Sequence, residues 1–212
     1  MIFTTYALNT ADARGVGSSP RITTSGAYIG SFLLAEVKET TSGAVMLNLH
    51  FTDEQKRTAL ISTCIFDRQG QPTFQKPILD ALMTVMKVRE IHVTPKEIET
   101  RDGGRRTCQA LQELMGKPIG LVLQNRPEEW EKNGEIRVDD RLHIRTPFEV
   151  GTNLNAKEIL DRKTEAAAVP AILANLRDAP VKKLKSTNTG FENANRALAE
   201  AASADDGANF PF

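Results

Sequence analysis

The stretch Gly134–Arg145, GEIRVDDRLHIR, carries the densest row of charged side chains able to do chemistry. Under strict strand alternation Arg137, Asp139, Arg141, His143 and Arg145 share one face, while Ile136, Val138, Leu142 and Ile144 turn the other way to pack inward. Asp140 is then the awkward inward residue and points to a bulge. Charges on one strand face lie about 6.6–7 Å apart, close to the spacing of successive single-strand phosphates, so the row can track a nucleic-acid backbone. A solvated strand face would carry the same residues.

Further cations sit at turns: Lys56 and Arg57 ahead of one strand, and Arg105 and Arg106 after Gly103–Gly104. Two aromatics, Tyr28 and Trp130, are candidates to stack on bases, an interaction of about 1–3 kcal/mol that is indifferent to sequence because every base has a π-face. Trp130 is flanked by Glu128, Glu129 and Glu131, which repel phosphates, and a ring folded down as an end cap explains it equally well. With Glu135, Asp139 and Asp140 these glutamates form an acidic run that could hold Mg²⁺ in a nuclease, although such runs in hairpin loops usually serve solvation. No G-x-x-x-x-G-K-[ST], G-x-S-x-G, H-E-x-x-H or paired C-x-x-C occurs. The expectation is a non-enzymatic chain without cofactor or catalytic metal.

Composition narrows the partners. The 27 Lys and Arg balance 27 Asp and Glu, which excludes a uniformly basic nucleic-acid binder but leaves room for a local basic stripe. Cys64 and Cys108 are far apart, and His50, His92 and His143 are scattered, so neither a disulfide framework nor a zinc site is suggested. Two reduced thiols, no apolar run near the roughly 20 residues that span a bilayer, and no leader-like start suggest a cytoplasmic protein.

The elements that must position these residues begin near Gly26. Ala27–Glu39, Ala44–Thr52 and Arg57–Phe66 read as three strands joined by short turns, the second with Val45, Leu47, Leu49 and Phe51 on one face and His50 among those on the other. Gln75–Val88 changes to helical period, with Ile78, Leu82, Val85 and Met86 on one side and Pro77 in the first turn. A polar segment follows, then a short helix over Thr107–Lys117, a strand over Pro118–Arg126, the polar loop PEEWEKN, and a strand over Gly134–Val150. Residues 155–178 read as a helix broken at Pro170. Five strands with a helix between the third and fourth is the order of an OB-fold, a small Greek-key barrel that binds oligonucleotides or oligosaccharides on strands 2–3 and the flanking loops. The predicted organisation is a mobile arm (1–25), the mainly β OB-fold (26–150), a helical extension (151–187) and a disordered tail (188–212).

That tail sorts its charge. Residues 177–196 carry Arg177, Lys182, Lys183, Lys185 and Arg196, whereas Glu200, Asp205 and Asp206 follow them. The ending ADDGANFPF has the physics of a tethered linear motif: Phe212 fills a small pocket, its carboxylate meets a cation at the rim, Phe210 and Pro211 shape the tip, and Asp205 and Asp206 steer it. The tip resembles the acidic Pro-Phe ending of bacterial single-stranded DNA-binding proteins. The stretches YIGSFLLAE, FDRQGQPTFQKPILDALMTVMKVREI, GKPIGLVLQ and NAKEILDRK resemble phage-encoded single-stranded DNA-binding proteins over about residues 26–165. The resemblance implies an OB-fold that coats single-stranded DNA during phage replication, recombination or repair and recruits partner proteins through its tip. Tyr28, Trp130, Lys56, Arg57, Arg137, Arg141 and Arg145 would then hold the strand. An adaptor using the same barrel and tail without binding DNA is the alternative, and the neutral charge favours it.

Overall fold

Alternating apolar residues build the first three strands of the computed structural model, which describes residues 20–100 and 103–184. Strands β1 (Gly26–Glu39), β2 (Val45–Asp53) and β3 (Thr58–Phe66) form an antiparallel meander. Leu47, Leu49, Phe51 and Ile61 are fully buried on its inner face, as period-two patterning requires. Helix α1 (Lys76–Val85) has Pro77 in its first turn and presses Leu82, Val85 and the following Met86 into the same core.

Long β1 is shared among three neighbours. It pairs β2 through Gly30–Glu39, β6 (Pro118–Asn125) through Gly26–Ser31, and β5 (Arg105–Leu111) at Glu36 and Val37. With β4 (Val93–Glu99) beyond β5 and β9 (Leu142–Phe148) on β6, these make a seven-stranded antiparallel sheet. Inner residues of β6 and β9, including Leu121, Leu123, Leu142 and Ile144, join the main core. Among the described residues β3 and β9 do not pair, so the sheet is not closed.

Several sequence expectations give way to pairing. The helix expected over Thr107–Lys117 is the end of β5 and one 3-10 turn, Gln112–Leu114. Cys108 and Ala110 are buried beside exposed Thr107 and Gln109, which is a strand period, and the Gly103 turn (φ 79°) supplies β4 as partner. Pro95 is tolerated because β4 is an edge strand.

The loop PEEWEKN is also a strand. β7 (Glu128–Lys132) and β8 (Glu135–Asp139) form a separate hairpin closed by Asn133–Gly134, both at positive φ, the backbone that a two-residue hairpin turn demands. The single strand expected over Gly134–Val150 is therefore cut at Asp140–Arg141. Ile136 and Val138, expected inside, are 66% and 54% exposed because the hairpin stands away from the core. Asp140 is exposed and accepts a hydrogen bond from Asn125 Nδ2 at 2.6 Å.

Two short helices replace the one expected near the end: α2 (Ala156–Leu160) and α3 (Ala168–Ala174). Pro170 lies in the first turn of α3, where its missing N–H needs no partner, so it begins a helix rather than breaking one. Buried Glu158 joins the pair: it completes a capping box with Asn155 and accepts the N–H groups of Ala167 and Ala168 at 2.8 Å each. Val169 then packs on Val122 and Phe148. The body starts earlier than Gly26, since Ile22 is buried and bonds through its N–H to the Thr58 carbonyl. No helix among the described residues is long and apolar enough to cross a membrane.

Candidate nucleic-acid interface

Because inner and outer residues alternate, β1, β2 and β3 turn a second set of side chains to their outer face. Register places Leu34, His50 and Leu60 in one row across the three strands. A β-bulge at the β1–β2 pairing, where the register passes from Phe32↔Phe51 to Leu34↔His50, inserts Leu33 beside that row. The β4–β5 hairpin covers Leu34, which packs with Cys108 and Ala110, and leaves Leu33 and Leu60 about 60% exposed, at 59% and 60%.

A groove of about 660 Å³ lies over this uncovered part. Its floor includes Leu33, His50 and Leu60; Arg21 and Thr23 enter from the segment before β1, and Val138, Asp139, Asp140 and Arg141 enter from β8 and the turn after it. Arg21 is carried there by its bridge to Thr58 on the edge of β3. The turn bearing Asp140 and Arg141 is held by buried Asn125, whose Nδ2 also donates to the Thr23 carbonyl at 2.7 Å, and by the Arg126 N–H bonded to the Arg141 carbonyl at 2.8 Å. The groove is thus framed by backbone and amide bonds, and its two guanidinium groups have no ion-pair partner among the described residues.

Of the residues expected to hold a strand, only Arg141 lines this groove. Arg137 lies on β8 opposite Trp130 and is paired with Glu135 at 2.9 Å. Arg145 sits at a bulge in the β6–β9 pairing and lines a separate depression with Ala171 and Ile172 of α3. The expected continuous row therefore does not form: the break at Asp140–Arg141 and this bulge send its members in different directions. Lys56 is exposed in the β2–β3 turn at positive φ. Arg57 is occupied, with Nε 2.7 Å from the Asp53 carboxylate and its guanidinium 5.2 Å over the Tyr28 ring.

Neither expected stacker is presented to the groove. Tyr28 is 7% exposed, its hydroxyl donates to the Thr24 carbonyl at 2.8 Å, and Arg57 covers its face, so no base can stack there in this conformation. Trp130 is half-buried on β7, with a buried indole N–H that has no partner among the described residues, and it does not line the groove. The acidic run is dispersed: Glu128 binds Lys182 at 3.0 Å, Glu129 accepts the Leu184 N–H, and Asp140 holds Asn125. No group of three potential metal-binding side chains occurs among the described residues. Asp205, Asp206, Phe210, Pro211 and Phe212 lie outside the described residues.

Sequence reasoning passed over Arg21, Leu33 and Leu60. The signals were present: Ala59, Ile61, Thr63 and Ile65 alternate inward, which turns Leu60 outward, and the Leu33–Leu34 doublet breaks the period of β1. Nothing in the local sequence marks Arg21, which reaches the groove only through its bridge to β3.

Electrostatics next to the groove centre on Glu36, buried at 4% and gripped by both terminal nitrogens of Arg106 at 2.9 Å. Burial pushes the carboxyl up, but the Arg106 hydrogen bonds and charge outweigh it and hold the pKa below the usual value. Burial raises the neighbouring Cys108 thiol, and Glu36 adds to that shift. His50 and His143 are both lowered, chiefly by burial.

These shifts set a pH dependence. A histidine with a depressed folded pKa favours the neutral ring, so the unfolded chain takes up protons first and stability falls as pH drops below the ordinary value of 6.5. Glu36 and Glu158, both lowered, add their loss further down, as pH falls below the ordinary 4.5 toward their folded values. The urea midpoint should therefore fall between about pH 7.5 and about pH 5.5, and His50→Gln with His143→Gln should flatten that decline. An unchanged midpoint in the parent would contradict the assignment. In comparisons with protein-family models and with curated proteins, this chain has no match.

Proposed function

We propose that this chain is a single-stranded DNA-binding protein built on an OB-type barrel. The carrying observation is where the groove lies: over the outer face of the β1–β2–β3 meander, beside the hairpin that leads into the final strand, with Arg21 and Arg141 on its lining. OB-folds take oligonucleotides on strands 2–3 between the loops after strands 1 and 4. On this reading β1, β2, β3, α1, β6 and β9 would be the OB elements in chain order, the β4–β5 hairpin an insertion ahead of the fourth strand, and β7–β8 a hairpin in place of the loop between the fourth and fifth. Contacts to backbone phosphates and apolar base contacts would give sequence-tolerant, salt-sensitive binding, suited to coating exposed strands in phage replication, recombination or repair within the host cytoplasm.

A mobility-shift titration with oligo-dT and with duplex, at low and high salt, tests this reading. Binding to oligo-dT that weakens with salt and exceeds binding to duplex is expected. No shift at low salt would sink the reading and favour a protein adaptor, and Mg²⁺-dependent shortening of the strand would favour a nuclease. The segment with Asp205, Asp206, Phe210, Pro211 and Phe212 is proposed to recruit replication and recombination proteins. Deleting residues 205–212 should leave oligo-dT affinity equal or tighter and abolish recruitment; a large loss of affinity would contradict that role.

A further inference from the structure

We propose that the bases of the bound strand lie on an aliphatic platform, Leu33 and Leu60 beside His50 and walled by Val138, and not on the rings of Tyr28 and Trp130; this rests on the single-stranded DNA reading. Single exposed leucines are ordinary on any protein. Here three large apolar side chains that are more than half exposed, Leu33 at 59%, Leu60 at 60% and Val138 at 54%, line one groove although they come from β1, β3 and β8. A gathered apolar patch of this kind marks a binding surface.

The fold spends a β-bulge on this patch. Without the extra residue β1 would keep strict alternation, with Leu34 inward; with it, Leu33 and Leu34 are adjacent on the outer face, and only Leu34 is then covered. From Leu60 on β3 to the β1 leucines is two strand spacings, about 10 Å, which gives room for two unstacked bases side by side. Aliphatic groups bury a base face by area alone and make the apolar contact that a thymine methyl accepts.

The occupant is set by the charge around the platform. Arg21 and Arg141 reach the groove on separate segments, and Asp139 and Asp140 share its lining. An anionic backbone is drawn to the guanidinium groups and kept from the carboxylates, so its uncharged bases are what the leucines can take. Among the described residues the aromatic alternatives are closed to a base: Phe51 lines the groove but is fully buried, Tyr28 is buried under Arg57, and Trp130 and Phe74, the latter 90% exposed on the β3–α1 loop, do not line it.

The test compares oligo-dT with an abasic strand of equal length, binding to the full chain and to Leu33→Ser with Leu60→Ser, across several salt concentrations. The parent should prefer oligo-dT. The double variant should lose about thirtyfold in oligo-dT affinity, approach its affinity for the abasic strand, and keep the parent salt slope, because the phosphate contacts are untouched. Both leucines are exposed, so folding should survive; Leu33→Met with Leu60→Met should restore the preference. In the unaltered protein, irradiation of iodouracil-substituted oligo-dT should crosslink the β2 peptide bearing His50. A double variant that folds and still prefers oligo-dT, or a crosslink confined to Trp130 or Phe74, overturns the platform while leaving DNA binding in place. Absence of any oligo-dT binding by the parent overturns both.

Discussion

Reversing Arg21 and Arg141 together to glutamate is expected to lower oligo-dT affinity about a hundredfold, the larger of the functional effects predicted for this chain. Both side chains are exposed and line the groove, and neither has an ion-pair partner within 4.0 Å among the described residues, so each can meet a phosphate at its full charge. A charge-assisted hydrogen bond contributes about 1.5–3 kcal/mol, so two of them at the lower, solvent-exposed end of that range account for the expected factor. The same substitution should reduce the slope of log affinity against log salt by about 1.4, since each single-strand phosphate contact contributes about 0.7. Arg137→Glu with Arg145→Glu is the matched control. One of that pair is bound to Glu135 and the other lines the separate depression beside α3, so affinity should change less than about threefold by long-range charge alone. Anisotropy of a labelled oligo-dT measures all of these, and equal losses in the two double variants would mean that the strand does not follow the groove.

The reason one arginine of the expected row lines the groove and two do not shows where sequence stops being legible. Strand existence was readable from Leu47, Leu49 and Phe51, because burial imposes a period of two on a local stretch. The helix was readable from Leu82, Val85 and Met86 for the same reason at a period near four. The hairpin at Trp130 was also written locally, in Asn133–Gly134, but the glutamates around it make the segment look like a polar loop. Placing Arg137 and Arg145 on one face with Arg141 required an unbroken strand, and both the turn at Asp140 and the bulge at Arg145 are set by partners elsewhere: Asn125 and Thr23 for the first, β6 for the second.

Burial of the outer face is less legible still. Leu34 and Leu60 are both outward leucines in well-formed strands, and no local pattern separates them. The β4–β5 hairpin lands on the first and misses the second, a consequence of Glu36 and Val37 pairing with Ala110 and Gln109. Tyr28 illustrates the converse. As a candidate to stack on a base it needs an open ring, yet the segment carrying Thr24 and the turn carrying Arg57 close over it. A binding surface is what remains after distant segments have covered the rest, so it depends on tertiary choices that a period cannot encode.

Gly30→Ala should be the most damaging single methyl addition to the body, lowering stability by about 3 kcal/mol and the melting temperature by about 10 °C. A Cβ at Gly30 would lie 2.0 Å from the Thr52 carbonyl oxygen and 2.8 Å from both Asp53 Cα and the Phe51 ring, closer than such atoms ever approach. Two of those three neighbours are backbone, which has no rotamer to escape into. Strand β1 cannot simply step aside, because Gly30 pairs with Asp53 of β2 on one edge and with Ile119 of β6 on the other. Any shift that opens the first pairing compresses the second, and Asp53 is itself tied to Arg57. The backbone at Gly30 is not left-handed, so the penalty is steric. Gly70→Ala separates the two causes: it sits at φ +75° with nothing within 4 Å of its Cβ, and should cost only about 1 kcal/mol of backbone strain. Thermal melts of both variants measure the difference. A Gly30→Ala melt no lower than that of Gly70→Ala would mean that β1 and β2 separate at this point more readily than their shared attachment to β6 allows.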